Sequence, residues 1–440
     1  MEFHGRRVTV MGLGRHGGGV AAARWLAKQG AIVTVTDVAP AEALADSVAA
    51  LADVPVARWR LAGHDQQDFD DAETIVVNPA VRPGHPLVER ARQRGATITS
   101  ELELFLRRCP GRMMGVTGSN GKSTTTAMIA AILQRDGRQA FLGGNIGRSL
   151  LDDLDAMTPE SWSVLEISSF QLTWLSDDCP LPKTGVLTNF TPNHLDWHGT
   201  IADYTAAKRR LFCGPQAAKT AILGSPRKDF DSGGNADIRG RVLLPLPVAD
   251  IPPLNAIGDH NRANAACAAA AAHAVGCSAA AIDAALRAFT GLEHRLELIG
   301  TIAGRAFYND SMATTPESTA AALAAFSGRA WLLAGGYDKR VDMAALTKAT
   351  CEHARGAAFY GAIGPRLHAE LAVQMPGERV SLHETLDAAF DWCFRQSRTG
   401  DCILLSPGCA SYDQFADYRA RGARFRSLVG ALARFERAAQ

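Results

Sequence analysis

What is missing narrows the reading first. No C-x-x-C pair occurs among the nine cysteines, which stand scattered from Cys109 to Cys409. Neither a zinc site nor a disulfide framework is indicated, and the pattern fits a reducing cytoplasm. Charge of one sign is also missing: 46 Lys and Arg against 45 Asp and Glu leave a formal net charge of +1. That balance gives no basic field for nucleic acid or for an anionic membrane surface. No apolar run approaches the ~18 residues needed to cross a bilayer, and the N-terminal residues pass into a strand and a glycine loop without a cleavable apolar stretch. The expectation is a cytoplasmic monomer whose partners are small molecules, with no nucleic acid and no membrane insertion.

What is present is glycine set at the ends of apolar strands. Arg6 to Met11 is a β-branched run followed by Gly12-Leu13-Gly14-Arg15-His16-Gly17, an alanine-rich helix through Lys28 and a second strand, Ala31 to Thr36, that ends at Asp37. The loop fits G-x-G-x-x-G and Asp37 stands where an acidic residue meets a ribose, so this is a βαβ unit of Rossmann type. A dinucleotide is one reading of it. The second loop, Gly115-Val116-Thr117-Gly118-Ser119-Asn120-Gly121-Lys122-Ser123-Thr124, ends another short strand. Gly118 and Gly121 let backbone N–H groups close on phosphate oxygens, Lys122 neutralises them, and Ser123 or Thr124 offers a hydroxyl to magnesium. The first glycine of the strict G-x-x-x-x-G-K-[ST] pattern belongs at Val116, and here it stands one residue early.

The rest of the 440 residues continue in βα rhythm, and the length suggests about three domains. Thr74 to Asn78 reads as a buried strand, Pro86 to Arg94 as a helix, and Trp162 to Glu166 and Thr184 to Asn189 as parallel strands with polar residues at their carboxyl ends. Ser225 to Pro253 reads as loops and short edge strands, and Asn261 to Val275 as a helix. After Gly291 a new series begins, with strands at Arg305–Asn309, Ala330–Gly336, Ala357–Tyr360 and Asp401–Ser406, a helix from Pro316 and a closing helix from Tyr412. The expected fold is α/β in three domains: a Rossmann-like N-terminal domain over 1–108, a central P-loop ATPase-type domain with a mainly parallel sheet over 109–291, and a C-terminal Rossmann-like domain over 292–440.

Several motifs are more specific than either loop: Glu166-Ile167-Ser168-Ser169-Phe170-Gln171-Leu172, Asn189 to Gly199, Tyr204-Thr205-Ala206-Ala207-Lys208, Gly258 to Asn264, Gly291 to Glu297, Asn309-Asp310-Ser311 and Leu405 to Ser411. With these, essentially the whole chain resembles the Mur ligases of peptidoglycan synthesis, most of all the branch that adds D-glutamate to UDP-N-acetylmuramoyl-L-alanine. The resemblance implies an ATP- and Mg²⁺-dependent amide ligase working through an acyl phosphate. It implies catalytic roles for Lys122, Glu166, His194, Lys208 and Arg295. ATP would meet Gly118, Ser119, Asn120, Gly121, Lys122, Ser123, Thr124, Asn261, Asn264, Arg295 and Asp310. The UDP-linked substrate would meet Gly14, Arg15, His16, Asp37, Asn78, Asn145, Ser168, Gln171 and His194, and glutamate Arg295, Thr314, Lys339, Ser411 and Tyr418. Metal ligation is implied for Ser123, Glu166, His194 and Lys208, the last as a carbamate (N6-carboxylysine). Hinges near Cys109 and Gly291 would let the domains close.

The sequence also departs from that pattern. Met312 stands where these ligases usually carry a lysine, Tyr337-Asp338 replaces an Asp-Gly before Lys339, and Ala80 stands where glycine is common. An L-glutamate-adding branch is therefore an alternative. A nicotinamide oxidoreductase reading the first loop, or a P-loop regulatory module, belongs to another class.

Overall fold

The computed structural model describes residues 2–14, 17–224, 238, 240–255, 258–326, 328–338 and 341–439. The chain forms two compact units, Met1–Pro252 with Ala263–Leu286, and Pro253–Arg262 with Arg287–Gln440. Among the described residues the first unit holds two sheets and the second holds one.

The first sheet comprises β1 (Arg7–Met11), β2 (Ile32–Thr36), β3 (Val56–Arg60), β4 (Thr74–Val77) and β5 (Thr97–Thr99), in the order β3-β2-β1-β4-β5. All its pairings are parallel. The near-continuous Val/Ile/Thr runs of β1 and β4 are buried, as parallel strands covered on both faces require. Strand order reverses beside β1, so the crevice at the carboxyl ends of β1 and β4 is the place where such sheets receive ligands. The glycine loop sits there. Gly12 has φ +90° and a Cβ on it would lie 2.6 Å from Asn78 Cβ, so only glycine fits.

The second sheet comprises β6 (Arg112–Thr117), β7 (Ala140–Gly144), β8 (Trp162–Glu166), β9 (Thr184–Leu187), β10 (Thr220–Leu223) and β11 (Arg241–Leu243), in the order β11-β10-β9-β6-β8-β7. Val116 pairs with Glu166 on one side and Thr117 with Leu187 on the other, which brings three strand ends level around the phosphate loop. The apolar core runs without a break from Val8, Trp25 and Phe105 to Leu165, Leu187 and Phe212. Trp174 reaches the far face of the first sheet, packing with Met11 and Phe69 and donating its indole N–H to Val81 O at 2.9 Å.

The second unit's sheet comprises β12 (Glu297–Ile302), β13 (Arg305–Asn309), β14 (Ala330–Gly335), β15 (Ala354–Tyr360), β16 (Val380–His383) and β17 (Cys402–Leu405), in the order β12-β13-β17-β14-β15-β16. It is mixed, because β12 runs antiparallel to β13. Ala303 and Gly304, with φ +48° and +71°, make the two-residue turn that lets a hairpin replace a helical crossover. The sequence reading did not anticipate β12.

The elements otherwise lie close to their expected spans. The helix read at Asn261–Val275 covers Asp259–Ala274. The closing helix is a correction: it begins at Tyr418, not Tyr412, and runs to Ala439. Asp417 supplies the start, its Oδ1 accepting the Ala420 N–H at 2.7 Å, whereas Gln414 and Phe415 turn back to Ser411 O. Residues 225–237 and 239 of the expected loop region lie outside the described residues, and beyond them β11 and a short turn at Val248–Asp250 are present.

Candidate active site

The phosphate loop leaves β6 at Gly118 and enters helix Lys122–Arg135 through Gly121, with φ +148° and +77°. Both glycines are obligatory for space as well as for conformation. A Cβ on Gly118 would lie 2.0 Å from Thr188 Oγ1, and one on Gly121 would lie 2.1 Å from Asn264 Oδ1. The loop is braced from the β9 end: Thr188 Oγ1 donates to Asn120 O at 2.6 Å, Asn189 Nδ2 donates to the same oxygen at 3.0 Å, and Asn120 N donates to Asn189 Oδ1 at 2.9 Å. Ser119 Oγ donates to Thr191 O at 2.7 Å and lies 2.9 Å from the Tyr204 hydroxyl. Lys122 Nζ caps Ser119 O at 2.9 Å. Ser119 N also donates to Asn189 O at 3.0 Å, so two of the loop's N–H groups are held by the protein, and the helix N-terminus that follows Gly121 is the geometry that receives phosphate.

Two buried groups lie beside this loop, one from a strand end and one from a helix. Glu166, at the end of β8, is 3% exposed; Asn145 Nδ2 donates to its Oε1 at 2.9 Å, while Oε2 is buried without a partner. A buried carboxylate oxygen left unpaired is costly unless a cation or a donor completes it. Lys208, on helix Ile201–Arg209, is 1% exposed, donates to Gly118 O at 2.8 Å and sits 4.6 Å from the Tyr204 ring centre. Burial lowers its pKa to about 6, with Lys122 adding repulsion and Glu166 opposing. Burial beside Lys122 thus favours the neutral amine.

His194 opens the turn Leu195–His198 in the left-handed region, φ +54°, and partial burial, followed by repulsion from Lys122 and Lys208, lowers its pKa. Its ring stands 4.9 Å from that of Phe170, whose other neighbours are Trp197 at 4.6 Å and His198 at 5.5 Å. His198 lies 2.9 Å from Ser169 Oγ and its pKa falls to about 4 through burial and Lys208. The sequence reading assigned no role to Tyr204, Trp197 or His198. The i, i+4 spacing of Tyr204 and Lys208, which puts both on one helix face, was the available signal.

In the first sheet, Asp37 accepts from Gly14 N at 2.9 Å and from Ala39 N at 2.8 Å, and Asn78 donates to Gly12 O at 3.1 Å, so both residues shape the glycine loop. Arg15 and His16 lie outside the described residues. Ser168 and Gln171 bond each other as a capping box for helix Ser169–Thr173, which fixes the chain directly after Glu166. Ser123 and Thr124 are buried in the first turn of the phosphate-loop helix.

The second unit gathers a separate cluster at the carboxyl ends of β13 and β17. Asp310, 5% exposed, accepts from Leu296 N at 3.1 Å and from Ser406 Oγ at 2.7 Å, and burial raises its pKa to about 7. Arg295 Nη2 lies 3.4 Å from Met312 Sδ. The thioether, standing where the resemblance expects a lysine, is a neutral neighbour for Arg295. The Tyr418 ring lies 5.9 Å from that of His294, and Ser311 Oγ donates to Tyr418 O at 2.7 Å. Arg421, fully buried, ties the two strand-end loops together by donating to Ser311 Oγ, Ser311 O and Cys409 O at 2.8–3.0 Å. Ser411 is buried and Thr314 half-buried on those same loops. Lys339 lies outside the described residues. Asn264 stands against Gly121 in the first unit, whereas Asn261 belongs to the second.

A divalent cation fits this donor set in a limited way. Among the described residues, no three His, Cys, Asp or Glu side chains converge as a preformed cage. One buried carboxylate oxygen and a helix-start hydroxyl beside a phosphate loop suit magnesium, which commonly keeps waters and takes substrate phosphates rather than an all-protein shell.

Comparison with known proteins follows the three sheets. Residues 6–100 match the Mur ligase MurD-like N-terminal domain, 116–231 the Mur ligase middle domain and 294–409 the Mur ligase glutamate ligase domain. A protein of Solibacter usitatus named UDP-N-acetylmuramoylalanine--D-glutamate ligase is 36% identical over 452 residues, 98% of this chain and 99% of its own. One of the same name from Anaeromyxobacter dehalogenans is 37% identical over 468 residues, again 98% and 99%. Among solved structures, UDP-N-acetylmuramate-alanine ligase MurC from Thermotoga maritima aligns with a TM-score of 0.60 at 20% identity, over 97% of this chain and 99% of that one. A bifunctional folylpolyglutamate synthase/dihydrofolate synthase from Yersinia pestis, complexed with AMPPNP and Mn ion, aligns with a TM-score of 0.53 at 16% identity, over 74% and 91%.

Proposed function

The chain belongs to the Mur ligase family, and from that membership we propose that it joins D-glutamate to UDP-N-acetylmuramoyl-L-alanine at the expense of ATP. The observation that carries this reading is the near-full-length match to ligases of that name. We assign 1–108 to the sugar nucleotide, 109–291 to ATP and 292–440 to the amino acid.

A carboxylate does not yield to an amine, so the terminal alanine carboxylate first attacks the γ-phosphorus of ATP, giving an acyl phosphate and ADP. The neutral amine of glutamate then adds to the acyl carbon. The tetrahedral centre collapses to the amide, phosphate leaves with the electron pair, and the amine proton passes to phosphate or water. Negative charge builds on the phosphates and on the tetrahedral oxygen, and fixed donors that meet it there lower the barrier. The N-terminus of helix Lys122–Arg135 and the Lys122 side chain are assigned that role, with His194 and Arg295 assigned to the acyl phosphate. Magnesium, when bound, supplies charge neutralisation; Ser123, the unpaired Oε2 of Glu166, His194 and a carbamate on Lys208 would hold it. The neutral Lys208 amine supports that carbamate, since CO₂ adds to the free base with release of one proton.

The test is phosphate release by the purified protein given UDP-N-acetylmuramoyl-L-alanine, ATP and Mg²⁺, with each glutamate enantiomer in turn. D-Glutamate is expected to stimulate release, with matching amide product. Stimulation by L-glutamate alone would move the chain to the L-adding branch, and turnover independent of both would remove the ligase reading.

A further inference from the structure

Two segments that approach the sugar-nucleotide path from different sheets are tied together through the Trp197 side chain. The loop after β4 carries Asn78, whose Nδ2 holds Gly12 O at 3.1 Å and whose Oδ1 accepts from Ala80 N at 3.0 Å. The Trp197 indole N–H donates to Ala80 O at 3.2 Å. Its ring packs on Phe170 at 4.6 Å, and Phe170 in turn backs the His194 ring at 4.9 Å. Arg82 adds a second tie, donating from Nη2 to Asp196 O at 2.7 Å. The bonds form one path: Gly12, Asn78, Ala80, Trp197, Phe170, His194.

We infer that Trp197 is a positioning residue, a latch that holds the Asn78–Arg82 loop of the first sheet against the His194 turn of the second, so that the sugar-nucleotide cradle and the phosphate-loop chemistry keep a fixed spacing. The inference rests on the proposed function for its kinetic consequence and on the geometry alone for its structural one. An indole suits the task because one end is a large rigid face for stacking and the other a single directed donor. Phe lacks the donor, and Arg lacks the stiff apolar face. The turn is four residues long, begins at a non-glycine residue with positive φ and buries none of its residues, so it depends on ties from outside, of which Trp197, Arg82 on Asp196 O and His198 beside Ser169 Oγ are three. Reacting groups out of register by about an ångström lose on the order of 10²-fold in rate, so a brace at this place matters for a transfer between substrates held on different elements.

The experiment compares the full-length wild type with Trp197→Phe and Trp197→Ala. KM is measured for the sugar nucleotide, ATP and D-glutamate in turn, and amide hydrogen exchange is followed in peptides covering 78–82 and 194–198. Trp197→Phe keeps the ring and deletes the donor; it is expected to raise KM for the sugar nucleotide about fivefold, with KM for ATP unchanged and kcat within about twofold. Exchange at 78–82 should quicken. Trp197→Ala also removes the stack, and is expected to lower kcat about tenfold and to quicken exchange at 194–198. Unchanged exchange at 78–82 in both variants would overturn the latch, as would equal rises in all three KM values tracking a general loss of thermal stability. If the wild type forms no amide from these substrates, the proposed function has failed on its own, and the exchange data still decide the latch.

Discussion

Lys208 shows how one residue's environment changes its chemistry. Within the run Lys208-Arg209-Arg210 only the family resemblance singles it out, and in the structure it is buried against Gly118 O and Tyr204 with its pKa lowered to about 6. Lys208→Ala is expected to lower kcat by about two to three orders of magnitude while leaving the fold intact, a loss comparable to removing a donor from a charge-stabilising site. Wild-type turnover in that variant at ordinary Mg²⁺ would refute the carbamate. Asp310 offers a test of burial by titration. Its pKa rises from the ordinary 3.8 to about 7, so between those values the folded state holds a proton that the unfolded chain releases. This residue's contribution is therefore most favourable at acid pH and falls as pH climbs through that window. Denaturant unfolding from pH 5 to 8 should show a flatter decline for Asp310→Asn than for the wild type; an identical slope would mean that Asp310 is ionised in the fold.

At the scale of elements, function resides where strands stop. Gly121 ends the phosphate loop with φ +77° and Asn264 Oδ1 against its missing Cβ. Gly121→Ala adds that collision to a left-handed cost of about 1–2 kcal/mol, and should raise KM for ATP more than tenfold while KM for glutamate stays put. Asp417→Ala removes the cap of the final helix; a loss of about 1 kcal/mol is expected in unfolding experiments, with KM for glutamate rising because Tyr418 is the first helical residue.

These elements also show what a sequence conveys. Both glycine loops, the strands around them and the polar residues at their ends were legible, because glycine at positive φ and uninterrupted β-branched runs leave a local mark. The start of the final helix was not, since Tyr412 to Phe415 make one turn that is not continued and the helix begins afresh at the Asp417 cap. The β12 hairpin was missed because its pairing is set by a two-residue turn rather than by composition. Trp197, Tyr204 and Arg421 gain their roles from partners 12 to 117 positions away, Ala80 for Trp197, Ser119 for Tyr204 and Cys409 for Arg421, and no spacing rule reaches that far. Ser168 and Gln171 illustrate the converse: a motif that reads as substrate binding is, in the structure, also a capping box that aims the chain after Glu166.

For the whole molecule, the central statement is that one chain joins an acyl group on a sugar nucleotide to an amino acid and draws on ATP to do so. The phosphate loop with an unpaired carboxylate oxygen beside it agrees with an enzyme of small molecules. The most direct test is product formation by the purified full-length chain with UDP-N-acetylmuramoyl-L-alanine, ATP, Mg²⁺ and D-glutamate, followed by mass spectrometry and phosphate release together. One amide formed for each phosphate released, with neither seen when any one substrate is left out, is the predicted result. Phosphate released at the same rate without the sugar nucleotide or without glutamate would contradict it.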